Sequence, residues 1–145
     1  MTISHLFHRY TQGTCTYLIG KGLKRILIDT GEGNSPSYIK NMKRALLNSA
    51  ATSIEAILIT HNHHDHTGGI QDLRNTYGHK VPVYMMRTPG KELPKGVKEM
   101  KDGQIFETIG TIIYDYYFVP QGSPSSRPLP YELEIIIRSF NFHKL

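Results

Sequence analysis

Residues 60–69 read Thr60-His61-Asn62-His63-His64-Asp65-His66-Thr67-Gly68-Gly69, placing four imidazoles and one carboxylate within the six positions from His61 to His66. Zinc takes nitrogen, sulfur and oxygen ligands, and a catalytic zinc keeps three protein ligands plus a water. His61 and His63 are two positions apart, and an extended backbone turns side chains at that spacing to one side. They form one candidate ligand pair. Asp65 and His66 follow where the loop turns into a helix, and form a second pair within reach of a second metal. Paired metals suit hydrolysis because they lower the pKa of a shared water and clamp both the attacking and the leaving oxygen. A lone His-x-His is more often a solvated turn. The full His-x-His-x-Asp-His string, directly after an apolar run, points to metal-assisted hydrolysis.

Such a loop needs a rigid element behind it. Ile54 to Ile59 is a compact β-branched run that ends at the histidines, and α/β sheets hold ligands at the carboxyl ends of their strands. Upstream, Thr14 to Gly20 and Arg25 to Asp29 read as two strands joined by a Lys21-Gly22 turn. Ser35-Pro36 supplies a hydroxyl N-cap with proline at the first helical position. Ile39, Met42, Leu46 and Ala50 then recur at helical spacing. Gly69 to Tyr77 predicts a short helix closed by Gly78, Val81 to Met86 a strand, and Thr88 to Gly96 a loop. Gln104 to Thr108 and Thr111 to Val119 predict an antiparallel pair. Pro120 to Pro130 holds four prolines and three serines and reads as a linker, before a β-like stretch from Tyr131 to Phe142. The order of elements is that of an α/β or α+β layered domain.

With 145 residues the chain has room for one domain. No run approaches the roughly 18 apolar residues of a membrane span, so no membrane partner is expected. The net charge of +5 permits an anionic partner. Yet the densest basic cluster, Lys91, Lys95, Lys98 and Lys101, is interrupted by Glu92 and Glu99 and reads as a solvated face. The single cysteine, Cys15, excludes an internal disulfide, fits a reducing intracellular compartment, and reads as a small buried residue. No secretory signal is visible. The first 28 residues lack Asp and Glu, which leaves the mitochondrial matrix beside the cytoplasm as an expected location.

The string Thr60-His61-x-His63-x-Asp65-His66-x-Gly68-Gly69, with Leu27-Ile28-Asp29-Thr30-Gly31 upstream, resembles the metallo-β-lactamase superfamily. Gln12-Gly13-Thr14-x-Thr16-Tyr17-Leu18, Arg25 through Glu32, and Met100-Lys101-Asp102-Gly103 are similar to the β-lactamase-like protein 2 group, related to glyoxalase II. The resemblance covers about residues 10 to 120. It implies the amino-terminal half of an αββα sandwich over residues 1–120, with 121–145 an atypical Pro/Ser-rich linker and short β-like tail. It implies two zinc ions in a complete site, His61 and His63 on the first, Asp65 and His66 on the second, and Asp29 beneath the loop as the residue that orients it. Asp65 would also orient the attacking water as the catalytic residue. The implied substrate is single-stranded RNA, with a small-molecule ester or thioester as the alternative. A non-catalytic metal-binding fragment is the third reading.

The family pattern continues with Gly-His-Thr after a strand ending in proline, whereas this chain has Val119-Pro120-Gln121-Gly122-Ser123. His143, Asp115 and Glu134 are the late residues considered as substitutes, and none has the expected flanking glycines. Reduced zinc occupancy is therefore expected. So is an exposed sheet face carrying Ile57, Ile59, Ile112, Tyr114, Tyr116 and Phe118, through which the chain would associate.

Overall fold

A computed structural model describes residues 2–4, 14–87, 90–101, 104–108, 112–118 and 133–139, with side chains described within 14–106. Strands β1 (Thr2–Ser4), β2 (Cys15–Ile19), β3 (Lys24–Ile28), β4 (Ser53–Ile59), β5 (Val83–Met85) and β6 (Val97–Glu99) form one sheet in that spatial order. The first two junctions are antiparallel. Those from β3 to β6 are parallel. The hairpin between β2 and β3 turns through Lys21-Gly22 as predicted, with Gly22 at φ 77°, a conformation that glycine adopts without a Cβ clash.

Helix α1 (Pro36–Asn48) connects β3 to β4, while α2 (His64–Thr67) and α3 (Ile70–Tyr77) connect β4 to β5. Both crossovers step the same way across the sheet. With one handedness for such connections, α1 and α3 fall on the same face. The N-cap is the predicted one: Ser35 is extended, and its hydroxyl accepts from the Tyr38 amide at 3.4 Å. The helix buries Tyr38, Met42, Ala45 and Leu46. Ala50 does not belong to that stripe. It lies beyond the helix end at φ 52° and is exposed.

Strand alternation divides the core in two. Leu27, Ile57, Ile59 and Val83 join Tyr38, Met42, Leu46 and Leu73 under the helices. On the other face Ile26, Ile28, Ala56 and Leu58 join Met100, with Tyr84, Met86 and Phe106 packed against them. Phe106 belongs to the second sheet, β7 (Phe106–Thr108), β8 (Ile112–Phe118) and β9 (Leu133–Ser139), which is antiparallel throughout. The layers therefore run helices, sheet, sheet. The predicted pair of β7 and β8 forms, and β9 pairs with β8 from Ile112↔Ser139 to Phe118↔Leu133.

Three expectations need correction. Ile57 and Ile59 are not on a bare face but are 1% and 0% exposed beneath the helices. Ile112, Tyr114, Tyr116 and Phe118, the other members of the expected patch, have side chains outside the described set. Cys15 is half-buried rather than buried. Strand β6 was not anticipated, because two of its three residues are charged: Lys98 and Glu99 give an edge strand the character that discourages further pairing. Among the described residues, no helix is long and apolar enough to cross a membrane.

Candidate metal centre

Strands β3 and β4 are parallel neighbours, so Asp29 and Thr60, each the first residue past its strand, arrive side by side. Asp29 is 3% exposed and has φ 58°, a left-handed conformation that short polar side chains tolerate better than branched ones. Its carboxylate reaches across to the next strand. Oδ1 accepts from the Thr60 amide at 2.9 Å, and Oδ2 accepts from the Thr60 hydroxyl at 2.9 Å and faces His66 Nδ1 at 2.7 Å.

The loop is also clasped to the turn after β3 by backbone. The Thr30 amide and hydroxyl both donate to the His66 carbonyl, at 2.9 and 2.8 Å, and the Gly69 amide donates to the Gly31 carbonyl at 3.0 Å. This approach leaves no room for a side chain. A Cβ on Gly68 would overlap the Glu32 carbonyl, and one on Gly69 the Thr30 carbonyl. Gly33, at φ 84°, lies so close to Gly68 that only glycine fits in both space and conformation.

The four predicted ligands come together above this clasp. His61 Nε2 lies 2.9 Å from His63 Nδ1, and His66 Nε2 lies 3.4 Å from Asp65 Oδ2. The His61 and His66 ring centroids are 4.0 Å apart. Thr60 has one hydroxyl proton and the Asp29 carboxylate only accepts, so Thr60 donates to Asp29. Towards His61 Nδ1, at 3.0 Å, it then accepts, which leaves the lone pair of the neutral ring on Nε2. Likewise the Asp29 contact holds a proton on His66 Nδ1 and turns Nε2 towards Asp65. His64 and His79 are exposed and take no part.

Electrostatics separate the groups. His66 is held above the ordinary imidazole value, chiefly by its hydrogen bond to Asp29, which outweighs burial. His61 is pushed down by burial first and then by the neighbouring His66 and His63. Burial alone would raise Asp65, but the Thr14 hydroxyl and the positive field of His66 together hold it below the usual carboxylate range. That hydroxyl donates to Asp65 Oδ2 at 2.5 Å.

These donors match zinc in kind: imidazole nitrogens with lone pairs set by neighbours, and a carboxylate kept ionised. They are arranged as two pairs, and among the described residues no three His, Cys, Asp or Glu converge on one point. His143, Asp115 and Glu134 have side chains outside the described set. Two contributors go beyond the four ligand candidates and Asp29: Thr60 and Thr14. Thr60 sits inside the motif, where a hydroxyl next to two imidazoles was the available signal. Thr14 is 51 residues from Asp65, and no local pattern connects them.

The metallo-beta-lactamase superfamily model matches residues 10–136. A lactamase-like protein, ptaB, of Pestalotiopsis fici is 41% identical over 102 residues, 70% of this chain and 31% of that protein. A beta-lactamase-like protein 2 homolog of Caenorhabditis elegans is 43% identical over 94 residues, covering 63% and 32%. An atrochrysone carboxyl ACP thioesterase of Aspergillus fumigatus is 41% identical over 104 residues, covering 70% and 23%. The chain thus spans about a third or less of the length of these relatives. Among solved structures, the Rm3 metallo-beta-lactamase superposes with a TM-score of 0.60 at 19% identity, over 90% of this chain and 52% of that one. Metallo-beta-lactamase GOB-18 of Elizabethkingia meningoseptica gives 0.60 at 22% identity with the same coverage. At such identities the likeness is one of fold. With its parallel strands delivering the histidine loop onto Asp29, and with the matched stretch spanning most of its length, the chain belongs to the metallo-β-lactamase superfamily, a family of hydrolases.

Proposed function

We propose that this chain carries part of the zinc site of a metal-dependent hydrolase, most related to the endoribonucleases that cut single-stranded RNA. The observation that carries the reading is the Asp29 carboxylate bound to His66 Nδ1 at 2.7 Å. A buried carboxylate on the far nitrogen of an imidazole is the usual partner of a histidine that ligates through its other nitrogen. His61 and His63 would hold one ion, and Asp65 and His66 a second. When bound, such ions lower the pKa of water towards ~7 and stabilise charge on the oxygens of the displacement.

The remaining work falls to the chain itself. Asp29 and Thr60 keep the protons of His66 and His61 on Nδ1. Asp65 stays ionised at neutral pH, able to accept a hydrogen bond from the attacking water and orient it. The glycine clasp holds the loop against the turn after β3.

A second reading, thioester hydrolysis, is favoured by the relatives named as carboxyl ACP thioesterases, which reach 41% identity. The two separate in one assay of the zinc-loaded chain, offering 5′-labelled single-stranded RNA beside an S-acyl glutathione. Internal cleavage of the RNA is expected. Turnover of the thioester alone would transfer the assignment to the second reading, and turnover of neither would leave a non-catalytic metal-binding fragment.

A further inference from the structure

We propose that Thr14 is a positioning residue for the Asp65–His66 half of the metal centre. The inference rests on the zinc reading above and adds to it a residue outside the histidine loop. Because β2 runs antiparallel to β3, with Tyr17 opposite Ile28, the start of β2 lies at the end of the sheet where β3 and β4 deliver their loops. Thr14, one residue before β2, therefore reaches the loop although 51 positions separate it from Asp65.

Its hydroxyl donates to Asp65 Oδ2 at 2.5 Å, the same oxygen that faces His66 Nε2 at 3.4 Å. Asp65 needs such a hold. It sits on α2, a single turn of four residues with no side-chain N-cap, and its side chain is 30% exposed. One helical turn does not fix a side chain on its own. The second pair is thus held from two directions, His66 by Asp29 from the end of β3 and Asp65 by Thr14 from the start of β2. In the first pair, His61 leans on Thr60, while His63 is exposed and faces His61.

This asymmetry sets the test: removing the Thr14 hydroxyl weakens one pair and spares the other. Histidine-ring proton–nitrogen NMR of the full chain, titrated with zinc, follows both pairs in one sample. In Thr14→Val, which keeps shape and loses the hydroxyl, His66 is expected to respond at about tenfold higher zinc than in the parent chain, the lower end of the usual effect of losing a residue that orients a ligand. His61 and His63 respond as before. Thr14→Ala behaves like Thr14→Val, and Thr14→Ser restores the parent response, with circular dichroism confirming that each variant is folded.

Four results overturn the proposal: an unchanged His66 response in Thr14→Val; a tighter one, which would mean that the hydroxyl competes with the ion; equal weakening of both pairs; or failure of Thr14→Ser to rescue. No zinc response from any ring of the parent chain would remove the zinc reading and this inference together. A normal parent response with a silent Thr14→Val removes the inference alone.

Discussion

Asp29 has the largest consequences of any single side chain here, since it satisfies the Thr60 amide and hydroxyl and the His66 ring at once. Asp29→Ala strands those donors in a largely enclosed place, and each buried donor left without a partner costs about 1–3 kcal/mol. Urea unfolding should show a loss of at least that size, with His66 the ring most displaced in NMR spectra. The same contact makes a pH prediction for the metal-free chain. His66 has a raised folded pKa, so its ion pair contributes stability fully present below its ordinary 6.5 and lost as pH rises through the raised value. His61 works in the opposite sense, because its lowered value penalises folding as pH falls below 6.5. Comparing the parent with Asp29→Asn isolates the first effect: the stability gap should be widest on the acid side of 6.5 and narrow above the raised value. A gap that widened with pH would contradict the assignment.

At the scale of elements, the histidine loop is seated by close backbone approach rather than by side-chain packing. Gly68 has an ordinary helical conformation, φ −60°, so alanine there is conformationally acceptable. The added methyl meets the Glu32 carbonyl, which is backbone and cannot rotate away. Gly68→Ala should therefore cost about 1–3 kcal/mol, as overpacking does, and should pull the loop from the turn after β3. A thermal melt gives the first effect, and loss of the Thr30 amide's exchange protection gives the second. The cap of α1 is a contrasting case. Ser35→Ala removes a 3.4 Å bond from a hydroxyl at the helix start and should cost only about 0.5–2 kcal/mol by unfolding, leaving the histidine loop in place.

For the whole molecule, the central fact is that β4 is covered on both faces, by α1 and α3 on one side and by Met100, Tyr84 and Phe106 on the other. Ile57 distinguishes this from the bare face expected from sequence. An isoleucine on an unpartnered surface loses little on truncation, whereas one 1% exposed among helices loses transfer energy and leaves a cavity. Ile57→Ala should cost about 2–5 kcal/mol, measured by denaturant unfolding with an unchanged slope.

Much of the candidate site and of the elements around it was legible because the signal is local. The His-x-His-x-Asp-His string after a β-branched run, the Asp29-Thr30-Gly31 turn, the Ser35-Pro36 cap and the Lys21-Gly22 hairpin are each written within a few consecutive residues, where spacing translates directly into geometry. The family likeness could be read from the first two for the same reason. What the tertiary structure alone decided is everything that depends on which strands are neighbours and in which direction they run. It brought Thr14 to Asp65 through an antiparallel strand, gave Asp29, which the resemblance set beneath the loop, its partners Thr60 and His66 across a parallel pair, and buried Ile57 and Ile59 under two helices on one face. Pairing across tens of residues leaves no periodic mark in a single sequence, because the contact is set by sheet order and not by the spacing of residues along the chain.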